Sequence, residues 1–413
     1  MLSGKQRLGW GLTIFLCGLL LWLETFTPNS LANLLYQALS PWFVLSQPVR
    51  LIKTQNRLSL PTAHASKAAR RSHYQEDFST TQFKQQTENV NWDSGQHALT
   101  LTLRDQIRQQ EAIIATNPTA NVIYIVWRDL RNDDGDIYAQ RIDAAGNRLW
   151  PSDQRINTDV GAATQFDPTA AVDSNGNLWV AWVDNRENNN DIFMQRMGAQ
   201  GDKVWTEDKK INDDENSADQ GGVALTLFSS EKALVAWHDN RTGNYDVYAL
   251  PIDGAGTPGW AHNLRINNDN TTTTQTYPAA AVDTNGEIVI TWLDQRIGNS
   301  DIYAQRLSSA GQFLWPADIQ VNQIVEAAQS RPRVAINLYN ETWIGWTSMT
   351  GGHFYVQQVD AKGQLQRAGA LSISQVHEPV DPNQPPALLA LTDGTFGAAW
   401  VDSTSGYLYA QRF

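Results

Sequence analysis

Six tryptophans, Trp127, Trp182, Trp237, Trp292, Trp346 and Trp400, recur at steps of 55, 55, 55, 54 and 54 residues, each closing a short β-rich run such as Leu178-Trp179-Val180-Ala181-Trp182. A second register, Gln110, Gln165, Gln220, Gln275, Gln329 and Gln384, keeps the beat at 55, 55, 55, 54 and 55. A period of this length in a 413-residue chain calls for an array of like units rather than two or three unrelated domains.

Within one copy, Pro168 to Val172 runs into Asp173-Ser174-Asn175-Gly176, a turn whose Asn-Gly suits a tight hairpin. The second strand ends in Trp-x-Asp-x-Arg and a polar hairpin follows. The third begins at Asp-Ile-Tyr-Ala-Gln-Arg, at Asp136 and again at Asp301, and a Gly turn with a Trp introduces a fourth. Four antiparallel strands per copy with no helical periodicity predict an all-β, six-bladed β-propeller over residues 88–413. The last copy stops at Phe413 after its third strand. The segment Glu88 to Leu103, with alternating Leu99, Leu101 and Leu103, is expected to close the ring as the missing strand.

The rest of the chain reads as an address. Lys5 and Arg7 precede an uncharged apolar run, Leu8 to Leu23, so residues 1–32 are expected to be a signal anchor or signal peptide. The bulky Leu16 before Cys17 argues against a bacterial lipid-attachment site. Residues 25–49 lack charge and carry Leu31, Leu34, Leu35 and Leu39 on one helical face, so 33–61 suggests an interfacial segment; a second membrane pass is the competing reading. Residues 62–87 read as a linker. Together these predict an exported, periplasmic or cell-surface body tethered to the inner membrane by residues 8–23.

Charge narrows the partners. Residues 1–90 hold nine Lys/Arg and four Asp/Glu of the chain's 31 and 43, so 91–413 carries 22 basic and 39 acidic residues, a balance of −17. Such a body repels nucleic acid. Cys17 is the only cysteine, so neither disulfides nor thiolate metal sites hold the blades.

The text of a blade, from Asp173-Ser174-Asn175-Gly176 through Trp182-Val183-Asp184-Asn185-Arg186 to Asp191-Ile192-Phe193, resembles the repeats of TolB-type and other exported bacterial propellers. Gly146 with Trp150, Gly201 with Trp205, Gly256 with Trp260 and Gly311 with Trp315 resemble a degraded Asp-box of sialidase-like propellers. The Ser-x-Asp-x-Gly core and an Arg-Ile-Pro segment are missing, so the resemblance implies fold and habitat and carries over no catalytic residue.

Three sets of residues are candidates for chemistry. Asp129/Arg131/Asp136, Asp184/Arg186/Asp191, Asp239/Arg241/Asp246 and Asp294/Arg296/Asp301 recur in four blades, which favours a structural brace with the arginine forked between the two carboxylates. The glutamines and tryptophans recur likewise and read as blade-to-blade contacts and core, although a lectin would use some aromatics as sugar platforms. Breaks in the repeat are where a unique site has to lie: His238 in blade three, Ser348, Thr350 and His353 in blade five, Thr404 and Tyr407 in blade six. The loops carrying Asp133-Asp134, Asp213-Asp214-Glu215 with Asp219, and Asn267-Asn268-Asp269 make an acidic face. Calcium is conceivable there, but no spaced Asp-x-Asp-x-Asp-Gly motif supports it, and no metal or cofactor is expected.

Binding is accordingly placed at Asp213, Asp214, Glu215, Asp219, His238, His353 and Tyr407. The favoured function is a non-catalytic scaffold of the bacterial envelope that takes a protein partner. A glycan-binding lectin is the alternative, and a sialidase-fold hydrolase or lyase with an unidentified site the second.

Overall fold

The computed structural model describes residues 109–413 apart from 118–121, 133–134, 215–216, 324–326, 375–379, 381–384 and 392. The signal or anchor segment, the interfacial segment, the linker and the closing strand expected at Glu88 to Leu103 lie outside the described residues. Among the described residues no helix is long and apolar enough to cross a membrane.

Among the described residues six antiparallel sheets follow one another along the chain, five of four strands and a last one of three, each with its strands in chain order. Blade two is representative: Gln165–Val172, Leu178–Asp184, Asp191–Met197 and Lys209–Lys210. The described strands of the sixth blade are Ala387–Ala390, Phe396–Val401 and Leu408–Arg412. The chain is a six-bladed β-propeller.

Its second and third strands are buried on both faces, which is why they read as near-continuous apolar runs rather than alternating ones. Trp127, Trp182, Trp237, Trp292, Trp346 and Trp400 are all buried. In the first four blades the indole Nε1 donates to the aspartate two residues on, at 2.8–3.0 Å, which satisfies the buried N–H that a core tryptophan must place. The Trp of the Gly turn stitches neighbours together: Trp150 donates to Ala199 O, Trp205 to Gly254 O and Trp315 to Ala361 O, each in the next blade.

The glutamine register needs one correction. Gln109, not Gln110, stands opposite Asp129, as Gln165, Gln220 and Gln275 stand opposite Asp184, Asp239 and Asp294. Tandem glutamines at 109–110 let the arithmetic of the repeat choose the wrong one. Gln384 lies outside the described residues.

These glutamines join blades through a buried asparagine that follows each short fourth strand. Asn267 Nδ2 donates to Asp246 Oδ1 of its own blade at 2.8 Å and to Gln275 Oε1 of the next at 3.2 Å, while its Oδ1 accepts from Val247 N. Asn157 and Asn212 repeat the pattern with Gln165 and Gln220. Asn267→Ala leaves the buried Val247 N–H and the Gln275 carbonyl of the next blade without this partner, and takes one donor from Asp246, which keeps Arg265 and Thr242. We expect a loss of about 3 kcal/mol in chemical denaturation, against under 1 kcal/mol for an exposed control such as Asn147→Ala.

Candidate functional site

The innermost strands share an irregularity that no periodicity argument finds. Two residues after each opening glutamine a β-bulge interrupts the ladder: Phe166 pairs with Val183 and Thr169 with Ala181, so one extra residue is inserted on the inner strand. At that position Glu111, Asp167, Tyr277 and Arg331 hold φ of 53°, 53°, 51° and 57°, and Gly222 holds 57°. Proline follows in three of the five, Pro168, Pro278 and Pro332, and fits because the interrupted ladder asks for no N–H there. Non-glycine residues in the left-handed region cost of order 1–3 kcal/mol each and persist where the surrounding structure enforces them, often at functional sites. Four such residues in equivalent places form a ring around the propeller axis.

The innermost strands of successive blades pack side by side, and charge acts across the axis between them. Asp167 of blade two feels both Glu111 of blade one and Arg331 and Arg333 of blade five, groups that meet only across the central channel. Asp167 N donates to Glu111 Oε2 at 2.6 Å, and Arg128 Nη1 lies 3.4 Å from Glu111 Oε1, so both oxygens of that carboxylate are engaged. The side chain of Asp167 is enclosed by protein yet keeps an opening onto the channel. Burial, then the neighbouring Glu111 charge, push its carboxyl up to about 7 against the opposing pull of Arg331 and Arg333. Two carboxyl groups in one cleft, one fastened by a cation and the other held protonated near neutrality, are the usual division of labour in acid–base chemistry.

The opposite wall is aromatic. Gly222 leaves the ring position of blade three empty, and a Cβ there would stand 2.6 Å from His238 Nδ1. The imidazole takes that space, edge-on to Tyr245 and Tyr277 with ring centroids 4.9 and 5.6 Å away. Burial drives His238 down to about 4, only partly offset by Asp239, so it is neutral at pH 7 and its Nδ1 accepts from Tyr277 N at 3.4 Å. Tyr277, 47% exposed, lies under the Arg331 guanidinium.

Of the residues singled out from the sequence, only His238 belongs to this site. Asp213 pairs with Arg241 Nη1 at 2.6 Å, and Asp214 accepts from Asn212 and Arg241. Asp219 accepts from Asn190 N while its own N–H donates to Asn240. These acids are tied into the blade junctions rather than presented as a free acidic face. Glu215, Asp133 and Asp134 lie outside the described residues. His353 sits at the start of the third strand of blade five, 6.0 Å from the Tyr355 ring, and Tyr407 packs on the apolar core of blade six. Among the described residues no cluster of His, Cys, Asp and Glu is arranged to hold a metal.

The repeated triplets also differ in geometry from the expected fork. Arg186 joins Asp184 at 2.6 Å not to Asp191 but to Asp208, at 2.9 Å, and to Asp159 of the preceding blade's loop, at 3.4 Å. Arg296 does the same with Asp294, Asp318 and Asp269. Arg131 joins Asp129 to Asp153, and Arg241 joins Asp239 to Asp213. The second aspartates, Asp136, Asp191, Asp246 and Asp301, start the third strand, where the asparagine after the fourth strand reaches them instead.

Periodicity hides the ring, because its positions do not recur. Its signal is the opposite one: two residues after a recurring Gln stand Glu111, Asp167, Gly222, Tyr277 and Arg331, a different chemistry in nearly every blade.

No family model and no curated protein sequence matches this chain. Solved structures do. An α-L-arabinanase of Penicillium chrysogenum aligns with a TM-score of 0.53 at 13% identity, over 75% of this chain and 94% of that one. A GH93 α-L-arabinofuranosidase of Fusarium graminearum aligns at 0.48 and 11%, over 74% and 93%. A subtype N10 neuraminidase-like protein of A/little yellow-shouldered bat/Guatemala/060/2010 aligns at 0.44 and 11%, over 72% and 91%. At these identities the likeness establishes the fold. It also corrects the favoured expectation from sequence: the solved propeller that this chain superposes on at 0.53 is a glycan-cleaving enzyme, so a non-catalytic protein-binding scaffold is no longer the default for this architecture.

Proposed function

We propose that the channel ring is an active site that cleaves a glycosidic linkage by acid–base catalysis. Asp167, protonated below about pH 7, gives its proton to the departing glycosidic oxygen as the C–O bond breaks. Glu111, positioned by Arg128 and the Asp167 amide, takes the proton of the incoming water or stabilises the sugar cation. Arg331, stacked on Tyr277, and Arg333 supply donors to hydroxyl or acidic groups of the saccharide, and the neutral His238 accepts rather than repels a cationic transition state. The observation that carries this reading is the enclosed Asp167 carboxyl beside Glu111 at the strained ring. The arabinanase that shares the fold supports it by analogy. An exported, tethered placement, as residues 8–23 suggest, would give such a site access to polysaccharide outside the cell.

The test is a panel of neutral and acidic polysaccharides incubated with the full chain, read by new reducing ends and by the ultraviolet absorbance of unsaturated products. New reducing ends without unsaturation support hydrolysis. Unsaturated ends assign elimination instead, with His238 or Tyr277 as the groups to examine, and no cleavage of any member overturns the reading. Because the acid must be protonated, kcat/KM should fall about tenfold per pH unit above about 7.

A further inference from the structure

The four braced blades show what blade five lacks. In each, an arginine lies flat on the aromatic ring of the third strand, 4.1–4.4 Å from its centroid: Arg131 on Tyr138, Arg186 on Phe193, Arg241 on Tyr248 and Arg296 on Tyr303. All four rings are buried. In blade five Ser348 stands at the first aspartate, Thr350 at the arginine and Ala370 where Asp318 stands in blade four. The whole Asp–Arg–Asp unit is absent, and a cavity of about 130 Å³ occupies its place, lined by Asn322, Gln329, Trp346, Ser348, Tyr355 and Ala370. That exceeds several-fold the ~10–15 Å³ that one water needs. Tyr355 is only half-buried, and Trp346 Nε1, with no carboxylate two residues on, meets no acceptor among the described residues.

We propose that this cavity binds a single neutral sugar ring. Its shape is that of a flat group stacked on an aromatic face, since a guanidinium fills the same position in four other blades. Its charge excludes a guanidinium here: both carboxylates are gone, and a cation buried without a counter-charge costs several kcal/mol. What remains is an aromatic face for the C–H side of a sugar, with the Trp346 N–H and the Ser348 hydroxyl beside it for its oxygens. Gln329 opens the strand that carries Arg331, so the cavity adjoins the channel ring, but its occupancy does not depend on cleavage there.

Saturation-transfer NMR on the full chain with methyl glycosides of neutral hexoses and pentoses, with methylguanidinium as comparison, tests this directly. Ring protons of at least one glycoside should receive saturation. Two variants should abolish it: Ser348→Asp/Thr350→Arg, which rebuilds part of the charged plug, and Gly369→Leu, at a glycine that also lines the cavity and where an added Cβ meets nothing within 4 Å. Near-ultraviolet circular dichroism checks that each folds, and apparent affinity should fall by about tenfold or more in either. Transfer to no glycoside, transfer unchanged in a folded variant, or displacement of the sugar by methylguanidinium overturns the proposal. Transfer lost in Asp167→Asn but kept in both cavity variants places the sugar in the channel, which overturns this inference while leaving the active-site reading intact.

Discussion

Asp167→Asn should lose activity and gain stability at once. The amide keeps the shape of the carboxyl but has no proton to give, so kcat should fall roughly a thousandfold with KM little changed. Stability moves the other way. A carboxyl whose folded value, about 7, lies above its ordinary 3.8 binds its proton more tightly in the folded chain. Its contribution is therefore fully present below about pH 4 and is lost as pH rises through 7. Three pH units set a ceiling of about 4 kcal/mol, and the water that reaches Asp167 through the channel reduces this to ~2 kcal/mol. The variant should therefore melt about 5 °C above wild type at pH 8 and match it at pH 4, by calorimetry at both pH values. A variant that is inactive but no more stable at pH 8 would mean that the Asp167 carboxyl ionises in the folded protein near its ordinary value, and so is not protonated at neutral pH to act as a general acid. Gain of stability on removing a catalytic group is the ordinary signature of a site held against the preferences of the fold.

Arg296→Ala should have the largest effect of any single change outside the channel. It removes one guanidinium that serves Asp294 and Asp318, both fully buried at the carboxylate, and reaches Asp269 in the preceding blade's loop. The carboxylates left behind cannot be solvated, so the cost is their desolvation rather than the modest net worth of an ion pair, about 3–5 kcal/mol and roughly 10 °C in Tm. Asp318 already feels this: burial raises its proton affinity, against the Arg296 hydrogen bond that lowers it. Lowering the pH should recover part of the loss in the variant, because protonating the stranded acids removes the unpaired charge. A loss under about 1 kcal/mol would show that the braces are surface pairs that salt and water already screen. Blade five shows that the fold tolerates absence of the unit when all three members are replaced together, and Arg296→Ala alone lacks that compensation.

Strain and electrostatics meet at one point in this molecule. The bulge that turns Glu111, Asp167, Tyr277 and Arg331 into the channel interrupts the backbone ladder of the innermost strands, which the junctions of Asn157, Asn212 and Asn267 hold in register from outside. Four described blades contribute a side chain to the ring directly, and in blade three His238 takes the space that Gly222 leaves. Chemical diversity is thus concentrated at the position where the copies converge and in the altered fifth blade.

The tryptophan and glutamine registers alone determined the class and the number of blades, because a blade's burial pattern is local and repeats with the chain. The residues of the braces were legible for the same reason. Their partners recur with the same period, Asp208 and Asp318 each 22 residues after the arginine they join, but periodicity does not say which strand ends face each other, and only the folded blade brings them to the arginines and aspartates. The channel site and the cavity of blade five were decided only by the closed ring. Closure brings Glu111 and Asp167 beside Arg331 and Arg333 although up to 222 residues separate them, and only the folded blade shows that the space vacated by an arginine stays open. Periodicity specifies what each copy buries. Where unlike residues meet is a property of the axis they share, and no single copy contains it.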